Sequence, residues 1–209
     1  MPKYRMVLFD SDGTLANTLP WVSTAFNQLA EKYGFEPLSA ADHETLRHLP
    51  MQEMMRRVKI PLWRMPALVS GMRKLMAEHV HEFQLFNGVA ESLRALSKAG
   101  VVLGMVSSNT ADNVRGILGP DLAPLFQHFA CSASIFGKAP KLRSVLRSSG
   151  IPASATIYLG DEVRDAEAAH TAGMAYGAVA WGYHALETLR AQGAAEFFDT
   201  PADIGRKLS

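Results

Sequence analysis

The chain has 209 residues, 48% of them hydrophobic, and a formal net charge of +1. That length suits one well-packed domain with a small insertion, and near-neutrality gives no basic footprint for nucleic acid and no strongly acidic partner surface. A single cysteine, Cys131, excludes an internal disulfide and fits a reducing compartment. It reads as a small buried hydrophobe. Met1 to Arg5 runs straight into strand-like sequence without a signal-peptide pattern, and no apolar run reaches the ~20 residues a membrane helix needs. A soluble cytoplasmic protein without membrane or nucleic-acid partners is expected.

Met6-Val7-Leu8-Phe9 is a short apolar run ending at Asp10-Ser11-Asp12-Gly13-Thr14. It predicts a buried strand that delivers polar residues at its carboxyl end. Residues 18–83 contain no convincing strand. Helical patterns cover Trp21 to Tyr33, Ala41 to Leu49, Met51 to Val58 and Pro61 to Phe83, punctuated by Pro37, Pro50 and Pro61. Arg56, Arg57 and Lys59 read as a solvated helix face. The methionines of this stretch, from Met51 to Met76, read as adaptable packing surface.

Beyond Gly88 the pattern changes. Val89 to Lys98 predicts a helix with Val89, Leu93 and Leu96 on one face, ended by Gly100. Val101 to Val106 predicts a buried strand, and Ser107-Ser108-Asn109-Thr110 can start the next helix. A short strand is expected at Phe129 to Ser132 and a helix at Pro140 to Ser149. Thr156 to Leu159 predicts a strand leading to Gly160-Asp161. A helix at Asp165 to Ala172, a strand at Ala175 to Val179, a helix at Glu187 to Gln192 and an edge strand at Phe197-Phe198 follow. This alternation predicts an α/β fold with a doubly wound parallel sheet, a Rossmann-like core, and a helical block inserted after the first strand. The expected division is residues 1–17 and 84–209 for the core and 18–83 for the helical insertion.

Ligands bind outside the carboxyl ends of the strands in such sheets. Those ends carry Asp10 and Asp12, then Ser107, then Asp161 and Asp165, with Lys138 in a loop before a helix. Clustered carboxylates repel unless a cation joins them, and oxygen ligands suit magnesium. A lysine and a serine hydroxyl beside them suit a phosphate group. Such a set is built for phosphoryl transfer, where positioning and charge neutralisation do most of the work.

Phe9-Asp10-Ser11-Asp12-Gly13-Thr14-Leu15 resembles the first motif of the haloacid dehalogenase superfamily. Val106-Ser107 resembles its second motif, Lys138 its third, and Gly160-Asp161-Glu162-Val163-Arg164-Asp165 its fourth. Trp181-Gly182-Tyr183 and Asp199-Thr200-Pro201 are similar to the tail of the phosphoglycolate-phosphatase-like branch. The resemblance implies that Asp10 attacks phosphorus and that Asp12 acts as acid, then base. It implies that Ser107 holds a phosphoryl oxygen and Lys138 neutralises phosphate and nucleophile. Magnesium would rest on Asp10, the Asp12 carbonyl, Asp161 and, directly or through water, Asp165. Gly13 permits a tight turn near the phosphate. Thr14, Ser108 and Asn109 are expected to border the substrate. Lys141 competes with Lys138, and Ser108 with Ser107.

Asp12 favours phosphate esters, since the dehalogenase and phosphonate-cleaving branches lack a carboxylate there. Similar sugar-phosphate mutases carry a histidine in the hinge to the cap, where Val22 stands here. The alternatives are a phosphomutase and a non-catalytic phosphometabolite-binding protein; the intact motif set argues against the second. The insertion resembles the small helical cap domain of the phosphoglycolate-phosphatase-like branch, and a cap excludes water and admits small substrates. A small phosphorylated metabolite is therefore expected, with Arg47 and His48 as candidate cap contacts.

Overall fold

The computed structural model describes residues 2–39, 41, 42, 45, 60–132 and 137–209, apart from the side chains of Leu62 and Met65. The expected helix at Met51 to Val58, most of that at Ala41 to Leu49, and the candidate contacts Arg47 and His48 lie outside the described residues.

The strands are β1 (Met6–Phe9), β2 (Val102–Met105), β3 (Phe126–Phe129), β4 (Thr156–Gly160), β5 (Ala175–Val179) and β6 (Glu196–Phe198). They form one parallel sheet in the order β3-β2-β1-β4-β5-β6. β1 is wholly buried because it lies mid-sheet, covered on both faces, which is why its sequence is continuously apolar. Successive side chains alternate between faces. Val7 and Phe9 join the cluster with Leu103, Met105, Ile157 and Leu159, while Met6 and Leu8 join Tyr158, Tyr176 and Ala178.

Helices cover both faces. Helices α3 (Val89–Lys98), α4 (Ala111–Leu122) and α8 (Ala202–Leu208) place Leu93, Leu96, Val114, Leu118, Ile204 and Leu208 on the first face. Helices α5 (Ala139–Ser149), α6 (Val163–Ala172) and α7 (Leu186–Arg190) place Leu142, Val145, Ala166, Ala169 and Leu189 on the second. Each buried leucine contributes about 1.5–3 kcal/mol by leaving water.

Between β1 and α3 run α1 (Leu19–Tyr33) and α2 (Met65–Glu78). Leu29, Ile60 and Leu68 pack with Phe26, Tyr33 and Met72 to form a small core of their own. The chain leaves and re-enters the sheet layer through two adjacent segments. Asn17 donates to the Gln84 carbonyl at 2.9 Å and Phe86 to the Leu15 carbonyl at 3.0 Å. No helix among the described residues is long and apolar enough to cross a membrane.

Two expectations shift, and one element is new. The strand expected at Phe129 to Ser132 lies earlier, at Phe126–Phe129. As an edge strand it tolerates Gln127 and His128, whose polarity hides it from an apolar-run search. The helix expected over Pro61 to Phe83 is a 3₁₀ turn (Leu62–Arg64), then α2, then a second 3₁₀ turn (Val80–Glu82), because His79 leaves helical geometry at ψ 13°. Helix α8 was not anticipated. Asp203 in its first turn braces the chain that enters it, accepting from the Asp199 and Thr200 amides at 3.1 Å each.

Candidate active site

The strand ends are level, and this brings the motif residues together. Phe9 is in register with Met105 on one side and Leu159 on the other. The residues beyond this level therefore emerge side by side: Asp10, Val106-Ser107 and Gly160-Asp161. Beyond β1 the chain turns tightly, with the amides of Thr14, Leu15 and Ala16 all directed at the Ser11 carbonyl. Gly13 turns at φ 77°, where a side chain would be strained.

Lys138, just before α5, is buried, and its Nζ lies 2.7 Å from Asp10 Oδ2 and 2.6 Å from Asp165 Oδ1. Lys141 faces elsewhere: its Nζ donates to the carbonyls of Ser107, at 2.7 Å, and Ser132. Asp161 is clamped at both oxygens, by Thr14 Oγ1 at 2.7 Å and the Tyr183 amide at 2.7 Å. Asp165 also caps α6, its Oδ2 accepting the Glu162 amide at 3.1 Å. Ser107 is fully buried and its Oγ accepts the Asn109 amide at 3.1 Å. Ser108 is half-buried; its carbonyl accepts from Arg73 of α2. A cavity of about 280 Å³ opens beside Lys138, lined by Ser108, Gly137, Lys141, Arg164 and Thr171.

The electrostatics are those of charge crowded away from water. Burial pushes Asp10 up to about 7, with Asp165 and Asp12 adding repulsion against the pull of Lys138. Burial raises Asp12 as well, again opposed by Lys138. Asp161 is held well above the usual carboxylate range by burial and by Glu162. Burial pulls the Lys138 ammonium down, but Asp10 and Asp165 outweigh it and hold the group above its ordinary range. Lys141 is lowered to about 8 by burial and by Lys138.

The carboxylates fit a cation. One oxygen each from Asp10, Asp161 and Asp165 lies within 4.8 Å of the others. Asp10 Oδ1 and Asp12 Oδ1 are buried without a hydrogen-bond partner among the described residues. A hard divalent ion takes such oxygens and reverses the repulsion that raises their affinity for protons.

Residues 7–179 match the family described as haloacid dehalogenase-like hydrolase. The chain belongs to that family. A phosphoglycolate phosphatase of Synechococcus elongatus is 31% identical over 199 residues, covering 95% of this chain and 94% of that one. An N-acetylmuramic acid 6-phosphate phosphatase of Pseudomonas putida is 26% identical, covering 99% of this chain and 96% of that one. A solved haloacid dehalogenase-like hydrolase of Streptococcus pneumoniae shares the fold, with a TM-score of 0.82 at 18% identity over 97% of each chain. This haloacid dehalogenase-like hydrolase is a phosphoric monoester hydrolase of the phosphoglycolate-phosphatase-like branch.

Several groups in the hydrolase's site have no role there in the sequence reading, which takes Trp181-Gly182-Tyr183 only as a likeness to the branch's tail. Tyr158 on β4 places its hydroxyl 3.2 Å from Asp165 Oδ1 and 3.0 Å from the Val106 carbonyl. A tyrosine inside an otherwise apolar buried strand was the available signal, since a buried hydroxyl needs a partner. Trp181 Nε1 donates to the Thr14 carbonyl at 3.0 Å and steadies the motif loop. Gly182 lies so close to Asp161 that an added Cβ would stand 2.0 Å from its Cβ. That need for glycine could not be read without knowing what lies opposite.

Proposed function

We propose that this hydrolase is a magnesium-dependent cytoplasmic phosphatase acting on a small phosphate monoester through an aspartyl-phosphate on Asp10. Phosphoglycolate is the first substrate to test, because the relatives bearing that name match nearly the whole chain. One observation carries the reading most. The buried Lys138 ammonium neutralises Asp10 through Oδ2, while Asp10 Oδ1 keeps no hydrogen-bond partner among the described residues. A carboxylate that is charge-balanced yet uncommitted at one oxygen suits nucleophilic attack.

In this reading an Asp10 oxygen bonds to phosphorus as the ester P–O bond breaks, and Asp12 gives its proton to the leaving oxygen. Asp12 then takes a proton from the water that attacks phosphorus and frees Asp10. Ser107 donates to a phosphoryl oxygen and Lys138 offsets the developing charge. Gly13, Thr14, Ser108 and Asn109 border the bound group. Magnesium would be held by Asp10, Asp161 and the Asp12 carbonyl, with Asp165 joining directly or through water, and would supply positive charge toward the phosphate.

We assign residues 1–17 and 84–209 to the catalytic core and 18–83 to a cap, with Arg47 and His48 as its candidate substrate contacts. The paired crossings at Asn17 and Phe86 support that division, and the Arg73 contact with Ser108 supports a cap seated at the site.

A panel of small phosphate esters, with phosphate release measured in magnesium and in excess EDTA, tests the reading. Phosphoglycolate should be cleaved with magnesium, and EDTA should stop the reaction until magnesium is restored in excess. Release from no ester with magnesium, or full activity in EDTA, would overturn it. Gly182→Ala should push Asp161 from its place. The expected result is a rise of about 10–100-fold in the magnesium needed for half-maximal activity, the range for disturbed ligand support. A magnesium titration matching the parent protein would contradict it.

A further inference from the structure

The side-chain amide of Asn109 is held at both ends. Its Oδ1 accepts the Thr110 amide at 2.8 Å and Asn113 Nδ2 at 2.9 Å. Its Nδ2 faces Asp12 Oδ2 at 3.3 Å and Met76 Sδ at 2.7 Å. One end of an asparagine amide only accepts and the other only donates, so two donors on the oxygen fix which end meets Asp12. The reversed amide would set oxygen against oxygen at Asp12. The Thr110 donor is backbone and any residue supplies it. Asn113 is the replaceable half of the lock.

Asn113 sits in the first turn of α4 and is only 5% exposed. Its backbone amide already donates to the capping hydroxyl of Thr110 at 3.2 Å, so its side chain is not needed to cap the helix. Its Nδ2 also lies 3.5 Å from the Arg73 carbonyl on α2, which ties the lock to the helical insertion.

We propose that Asn113 is a positioning residue for Asp12: it holds the Asn109 amide in the one orientation that donates to the Asp12 carboxylate. The inference rests on the reading of Asp12 as acid and base. A group that must reach a leaving oxygen loses rate steeply when misplaced. A purely structural asparagine, by contrast, would affect all substrates alike.

The test compares an alkyl phosphate, whose leaving oxygen needs a proton, with p-nitrophenyl phosphate, which leaves readily without one. Asn113→Asp presents an acceptor to Asn109 and should reverse its amide. It is expected to lower kcat/KM, which reports ester cleavage and not the later breakdown of the phospho-enzyme, on the order of tenfold or more for the alkyl ester and to spare it for p-nitrophenyl phosphate. Asn113→Ala removes the donor without adding charge and should shift the ratio of the two rates the same way, less far. It carries the test if Asn113→Asp does not fold. In an Asp12→Ala background neither change should move the ratio further. Equal losses on both esters, or a selective loss that persists without Asp12, would overturn the inference. If Asp12→Ala alone treats both esters alike, the acid–base reading fails and the inference falls with it. If Asp12→Ala is selective and the Asn113 variants are not, the inference alone fails.

Discussion

Asp10→Asn is expected to abolish turnover and phospho-enzyme formation together. The change is nearly isosteric, and Lys138 keeps its contact with Asp165 at 2.6 Å, so the ammonium is not stranded in the interior. The fold should therefore survive, and the loss should be chemical. An amide oxygen is too weak a nucleophile to displace an alkoxide from phosphorus. With one indispensable group gone, a loss on the order of 10⁴-fold or more is expected. Steady-state phosphate release and rapid-quench trapping would measure it. Turnover at the parent rate would exclude a covalent role for Asp10.

Asp12→Ala should produce a different pattern. Asp12 Oδ1 has no hydrogen-bond partner among the described residues, and Oδ2 meets the Asn109 amide. Burial favours its protonated form, which suits an acid. Cleavage of an alkyl phosphate should slow by about 10²–10⁴-fold, the usual size of lost general acid–base catalysis. The loss should be much smaller for p-nitrophenyl phosphate. Breakdown of the phospho-enzyme should slow for both, because the attacking water loses its base. Single-turnover kinetics separate the two steps. If neither step changes for an alkyl ester, Asp12 has no proton-transfer role.

The centre of the fold was legible because it is redundant. β1, β2 and β4 are short apolar runs, each followed by polar residues, and burial on both faces demands that composition. The carboxylates were legible because their crowding makes sense only if the loops converge. The periphery was less so. β3 sits at an edge where polar residues are tolerated, and α8 follows a turn that Asp203 braces by accepting amides ahead of the helix. The supporting contacts were hidden for another reason. Tyr183 clamps Asp161 through a backbone amide, which any residue but proline could supply. The Asn113–Asn109 contact joins side chains whose meaning depends on Asp12, far away in sequence. The sequence favours Lys138 over Lys141 as the third-motif lysine, and the two reach different groups: Lys138, just before α5, meets Asp10, and Lys141, inside it, meets the Ser107 carbonyl.

Trapping the intermediate tests the central claim most directly. The hydrolase is mixed with substrate and magnesium, quenched in acid within milliseconds, reduced with borohydride and digested. Borohydride converts an aspartyl-phosphate to homoserine, which mass spectrometry can place in the peptide that carries residue 10. The account predicts that conversion at position 10 and nowhere else, dependent on substrate and absent from Asp10→Asn. Rapid turnover with no converted residue, or conversion at Asp12, Asp161 or Asp165 instead, would contradict it.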